Sequence, residues 1–225
     1  MIGKTPWNVL EYLFLSPGAG EAQALLLAAL AQTLPIAAIG MAAGMAFAFA
    51  LAVTSQLASG FTRVFLPVAL VTQTMPLIAL TPLLVLILGR GISITVWITI
   101  SVTSFPAYVM IAKGLAQVPR AALDLPRAYG ASGWRQLRLV AIPASLPRAF
   151  AAIRTTVPRA LLSVMIAEWL ATGQGPGNLM NRSRGYMDFS MIWTVAAVSV
   201  ILSVGFYQLA QLLENRRHRR GGQMM

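Results

Sequence analysis

Residues 91–148 read GISITVWITISVTSFPAYVMIAKGLAQVPRAALDLPRAYGASGWRQLRLVAIPASLPR, and the change of character inside this stretch decides the fold. From Gly91 to Ala112 there are 22 residues and no charge. A membrane helix needs roughly 20 mainly apolar residues, so this run is one span. From Lys113 to Arg148 there follow six basic residues and one acid, Asp124. Basic segments beside apolar spans mark the cytoplasmic side, which makes 113–147 a cytoplasmic loop.

Outward from the stretch, charge gaps divide the rest of the chain. Ala22–Thr62, Val64–Gly89 and Phe189–Leu213 hold 41, 26 and 25 uncharged residues. The last two are one span each. The first would make a helix of about 61 Å at roughly 1.5 Å per residue, against a hydrocarbon layer of roughly 30 Å. Thr54-Ser55-Gln56 and Ser59-Gly60 read as its exit, giving one span over 30–53 with an apolar approach. A fifth span over 149–171 tolerates Arg154 and Arg159 near one end and Glu168 near the other. The expectation is an all-α polytopic membrane protein of five spans; a sixth hidden in the first gap would flip only the N-terminus. The loop and the basic tail at 214–225 lie inside, so Lys4, Arg90, Arg182 and Arg184 lie outside. Residues 1–20 lack a long apolar run and a clear cleavage site, and read as an interfacial segment before the membrane region, 21–213.

Composition agrees. Only 10% of the 225 residues are charged and 57% are apolar, which excludes an ordinary soluble enzyme. There is no cysteine, and the one histidine, His218, lies in the tail, so no metal site, thiol nucleophile or histidine triad can be written. The net charge of +11 belongs to loops facing the cytoplasm, not to a nucleic-acid groove. Gly3-Lys4-Thr5 copies the end of a phosphate loop but has no room for its first glycine, so no ATP site is expected here. Gly173, Gly175 and Gly177 read as a turn between helices. Gly40, Gly44, Ala48 and Ala52 form a small-residue stripe, a packing device. Pro67, Pro76 and Pro82, with Gln73, Thr74 and Thr81, mark the second span as a pathway-lining or kinked helix. Glu168, an acid inside a span, is either a pathway residue or an interfacial partner.

The loop itself predicts a helix from Asp124, as cap, through Pro126 in its first turn to about Leu139 or Val140. On that helix Arg127, Ala131, Arg135 and Arg138 share one face and Leu125, Tyr129, Leu139 and Val140 lie roughly opposite. The bottom-up alternatives are docking to a partner and resting on lipid headgroups.

Asp124-Leu125-Pro126-Arg127-Ala128-Tyr129-Gly130, then nine residues, then Val140-Ala141-Ile142-Pro143, resembles the EAA loop of ABC importer permeases. That pattern is Glu-Ala-Ala, three residues, Gly, nine residues, Ile, any residue, Leu-Pro. Leu125-Pro126 departs from its Ala-Ala. Gly130-Ala131-Ser132 followed by Trp134 is also typical of that loop. The run from Gln73 to Gly89, and Ala167-Glu168-Trp169 with Gly173 to Asn178, resemble the nitrate/sulfonate/taurine branch, which also includes transporters of thiamine-precursor pyrimidines. Members commonly have six spans, so the first helix is expected to be missing here.

The resemblance implies a type I importer in the inner membrane, with no cofactor on this chain. A permease homodimer would form the pathway, an extracytoplasmic solute-binding protein would deliver the solute, and separate ATPase subunits would bind ATP. It places coupling at Asp124, Ala128, Tyr129, Gly130, Ala131, Ser132, Trp134, Ile142 and Pro143, and the pathway at Gln73, Thr74, Pro76, Thr81 and Glu168. The rival reading is a stand-alone secondary transporter or channel, which calls for ionisable midplane residues or repeated halves.

Overall fold

The computed structural model describes residues 3–58, 60, 65, 67 and 77–221. All regular structure among the described residues is helical: α1 Pro6–Leu10, α2 Ala19–Leu57, α3 Leu77–Leu88, α4 Ile92–Ala116, α5 Arg120–Ala128, α6 Gly133–Gln136, α7 Ile142–Ala167, α8 Gly175–Gly185 and α9 Phe189–Gly221. Wider π-wound turns continue α1 over Glu11–Leu15, join α6 to α7 over Leu137–Ala141, and extend α7 over Glu168–Thr172. Among the described residues, four helices are long and apolar enough to cross a membrane: Ala19–Leu57, Ile92–Ala116, Gly133–Thr172 and Phe189–Asn215. The second expected span is described only from Leu77, and α3 alone, at about 18 Å, is too short to cross.

α2 carries the expected polar exit, ending at Leu57, but the approach before residue 30 is helical too. One continuous helix therefore runs from Ala19, with Pro35 inside it. In the same way the fifth expected span begins well upstream, because Gly133–Thr172 is one 40-residue helix. Nor is the tail separate, since α9 runs on to Gly221.

The chain divides into two compact units. The first comprises Met1–Gly40, Pro76–Thr99 and Pro158–Phe206, the second Met41–Met75, Ile100–Val157 and Tyr207–Met225. In the first unit Gly40 lies against Thr99, so closely that an added Cβ would sit 2.7 Å from the threonine side chain. There Ala22, Leu26, Met191 and Val195 form one buried cluster, and Ala37, Leu161 and Val164 another. In the second unit Gly44 lies against Thr103 and the Ile100 backbone. Ala48 and Ala52 are fully buried there with Ala107, Tyr108 and Ile111. The small-residue stripe of α2 thus does what its spacing predicts and admits α4, whose own threonines at 95, 99 and 103 are buried.

α1 starts on a reciprocal cap, with Thr5 Oγ1 accepting from Asn8 N–H and the Asn8 side chain accepting from Thr5 N–H. Trp7, Phe14 and Leu15 are exposed. Tyr12 donates to Asp188 at 3.0 Å, tying this segment to the start of α9.

Candidate functional site

Two places gather the expected site residues. The first is the loop tip. α5 begins at Arg120, with Pro119 as its cap, and not at Asp124. Asp124 lies inside the helix and makes only an exposed 3.9 Å contact with Arg127. Pro126 falls toward the end of the helix. The expected start was misplaced because Pro119, with the helix-forming Ala121 and Ala122 after it, caps the helix five residues earlier.

The expected continuous helix to Val140 is also overturned. Gly130 adopts φ +72°, the left-handed region that glycine enters at no steric cost. Gly130 N–H donates to the Arg127 carbonyl at 3.0 Å and Ala131 N–H to the Pro126 carbonyl at 2.9 Å. This pair of bonds is a Schellman stop. The chain restarts at Ser132, whose Oγ accepts from Arg135 N–H, while Gln136 Nε2 donates to the Ala131 carbonyl at 2.8 Å. The shared basic face of Arg127, Ala131, Arg135 and Arg138 therefore does not exist, because the turn lies between its members.

What the turn creates instead is a protruding helix–turn–helix. Tyr129 is 84% exposed, Leu125 67% and Trp134 49%, and no residue of α5 is buried. Ala128, Gly130 and Ser132 are exposed beside them and Ala131 is half-buried. Ile142 and Pro143 are not at the tip. They open α7, where Ile142 packs against the core of the second unit. Large exposed apolar side chains held on a locally capped turn can seat in another protein, and they offer no acid, base or nucleophile.

The second place is Glu168, which is buried at 3% exposure. Its carboxylate accepts from Thr33 Oγ1 and, at 3.1 Å, from Gly177 N–H. Gly175 N–H donates to Gln32 Oε1 at 3.2 Å. The free N–H groups that open α8 are thus met by two side chains from other helices. A carboxylate also suits the positive end of a helix dipole. The glycines make the fit possible. A Cβ on Gly175 would collide with the Glu168 carboxylate, and one on Gly177 with the Met165 carbonyl oxygen. Gly173, at φ +69°, ends the preceding helix, so the glycine run is a turn between helices as its spacing suggests.

Of the expected pathway residues, Thr81 is buried. Gln73, Thr74 and Pro76 lie outside the described residues. Sequence reasoning missed Gln32 and Thr33, and it missed the partner of Arg154. In the second unit Arg154 pairs with Glu214 at 3.3 Å and lies 5.5 Å from the Tyr207 ring. An acid 60 residues away carried no local signal, although a basic residue inside a span predicts that a partner exists.

The family described as "Binding-protein-dependent transport system inner membrane component" matches residues 58–219. The riboflavin transport system permease protein RibX of Chloroflexus aurantiacus is 30% identical over 148 residues, which are 66% of this chain and 55% of that protein. The chain thus spans about half the length of that relative. The formylaminopyrimidine transport permease protein ThiX of Halalkalibacterium halodurans is 27% identical over 186 residues, 83% of this chain and 74% of that one. Among solved structures, an inward-facing MetNI methionine ABC transporter aligns with TM-score 0.72 and 19% identity, covering 89% of this chain and 97% of the other. That likeness concerns the fold.

Proposed function

This chain belongs to the family of inner-membrane components of binding-protein-dependent transport systems, and from that premise we propose that it is the permease subunit of a type I ATP-binding cassette importer. The observation that carries the proposal is the exposed turn at Tyr129–Gly130–Ala131, on the EAA spacing, with Tyr129 and Leu125 projecting from it. On this reading the chain receives work mechanically. The tip of α5 and α6 is the surface that takes it from a separate ATPase, on which ATP binds. The continuity of Gly133–Thr172 supports this reading, since a push at Trp134 is delivered to a membrane-crossing helix without an intervening loop.

On this reading the tip and the C-terminus face the cytoplasm. Glu168 and the start of α8 face the other side, where a solute-binding protein docks. Two copies in the bilayer form the pathway. The solute is small, of the nitrate, sulfonate or taurine kind or a thiamine-precursor pyrimidine, and the names of the relatives are compatible with both kinds.

The test is co-purification of the full chain from its own membranes in mild detergent. An ATP-hydrolysing subunit should come with the wild type. Tyr129→Ala and Gly130→Leu should hold it at least about tenfold more weakly while inserting normally, a loss of roughly 1.4 kcal/mol in docking. Solute uptake that persists without any ATPase would refute the proposal in favour of a stand-alone transporter.

A further inference from the structure

Beyond Arg148, α7 carries two more arginines, and the structure separates them. Arg154 is paired with Glu214 and lies over the Tyr207 ring. Arg159 is five residues on, about 140° further round the helix, so it cannot share those partners. It is exposed, and among the described residues it has no ion-pair partner. It lies thirteen residues before the end of its membrane-crossing helix at Thr172, or about 20 Å. That places it well inside a hydrocarbon layer of roughly 30 Å.

The same face continues toward Thr172 with Leu162, 61% exposed, and then Ile166. An arginine turned toward lipid at this depth is costly, and intramembrane cations characteristically face water or protein. Since none of the described residues of this chain neutralises it, its face borders water or a second protein surface.

We propose that Arg159 lines a water-filled stretch of the solute pathway and holds the anionic group of the passing solute, a carboxylate, sulfonate or phosphate. The proposal rests on the permease reading for the word pathway, but its test does not. A guanidinium offers two parallel N–H donors to such a group, which suits transient binding of an oxyanion. The rival explanation is that Arg159 snorkels back to lipid phosphates, leaving the rest of this face dry.

The chain has no cysteine, so single cysteines report cleanly. The experiment uses Leu162→Cys in the full chain, in sonicated membrane vesicles whose two faces are both open to reagent. Two water-soluble methanethiosulfonates are compared, one bearing a sulfonate and one a quaternary ammonium. Leu162 is one helical turn beyond Arg159, away from the headgroups that snorkelling would reach. The introduced thiol should react with both reagents, and faster with the anionic one. Arg159→Gln in the same background should lower the anionic-to-cationic rate ratio by about tenfold, as expected for one unit charge roughly 6 Å away in a water-like dielectric, acting with opposite sign on the two reagents. Arg159→Lys should keep the ratio.

A Leu162→Cys thiol unreactive to both reagents means a dry face and overturns the proposal. Equal reactivity with a ratio indifferent to Arg159→Gln overturns the anion-holding role. Failure to bind an ATPase would refute the permease reading and leave these rates as measured.

Discussion

Removing the Glu168 carboxylate tests whether one side chain holds the α7–α8 turn. Glu168→Ala deletes two hydrogen bonds at once, from Thr33 Oγ1 and from Gly177 N–H, and leaves both donors without their acceptor at a position of 3% exposure. A bond to a charged acceptor is worth about 1.5–3 kcal/mol. Two of them give about 3–6 kcal/mol. A water entering the vacated space brings the expectation to the lower end, about 3 kcal/mol. At about 1.4 kcal/mol per factor of ten, the start of α8 should open about 100-fold more often. Amide hydrogen exchange across residues 177–183 in detergent or nanodiscs reads this directly, and the loop tip at residues 125–136 serves as an internal reference. Glu168→Gln keeps the volume and one acceptor oxygen, so it should forfeit roughly one bond and raise exchange about tenfold. Gly177→Ala leaves the carboxylate in place but drives a methyl group into the Met165 carbonyl oxygen, and should loosen the same segment. If Glu168→Ala leaves exchange across 177–183 within about threefold of wild type, the carboxylate does not anchor α8 and the reasoning fails.

Other outcomes follow from the same geometry. Gly44→Leu should force α2 and α4 apart at Thr103 and sharply lower the melting temperature, whereas Gly205→Ala, with open space around it, should leave it unchanged. Arg154→Met strands Glu214 and should cost about 2 kcal/mol, less than the roughly 3–5 kcal/mol of a fully buried pair because a quarter of the arginine side chain is exposed; Arg154→Met with Glu214→Leu should recover most of it. Burial, and then the bond and charge of Asp188, push the Tyr12 hydroxyl up to about 12 from its ordinary 10.0. The folded form therefore holds this proton more tightly, and the stabilisation is complete below about pH 10 and lost as pH rises through about 12. Tyr12→Phe should remove a phenol titrating near 12 from a spectrophotometric titration. A cysteine at Tyr186, 80% exposed, should react with impermeant thiol reagents in intact cells while one at Ser132 stays protected; the reverse pattern would invert the topology.

The membrane class, the small-residue stripe and the glycine turn at 173–177 were legible because each depends on composition or on spacing along one element. An uncharged run as long as Gly91–Ala112 has few other homes, and glycines four residues apart must share a helix face. The EAA spacing likewise located the loop. The loop's shape was read wrongly at two residues. Glycine has two meanings in a helical pattern, a weak spot at roughly 1 kcal/mol or a left-handed stop, and local sequence does not choose between them. The choice at Gly130 rests on whether the Arg127 and Pro126 carbonyls find their donors, which is a matter of three-dimensional closure. Asp124 was plausible as a cap until Pro119 began the helix first.

Long-range pairing was beyond the sequence altogether. Charge and apolarity told where Glu168, Arg154 and Arg159 lie along their span, because transfer out of water acts on each residue separately. Which of the three is held was decided only by tertiary structure. Glu168 meets Thr33 and the start of α8, Arg154 meets Glu214, and Arg159 meets no described acid. Electrostatic neutralisation needs atoms within a few ångströms, and in this chain those atoms arrive from helices 9 to 135 residues away.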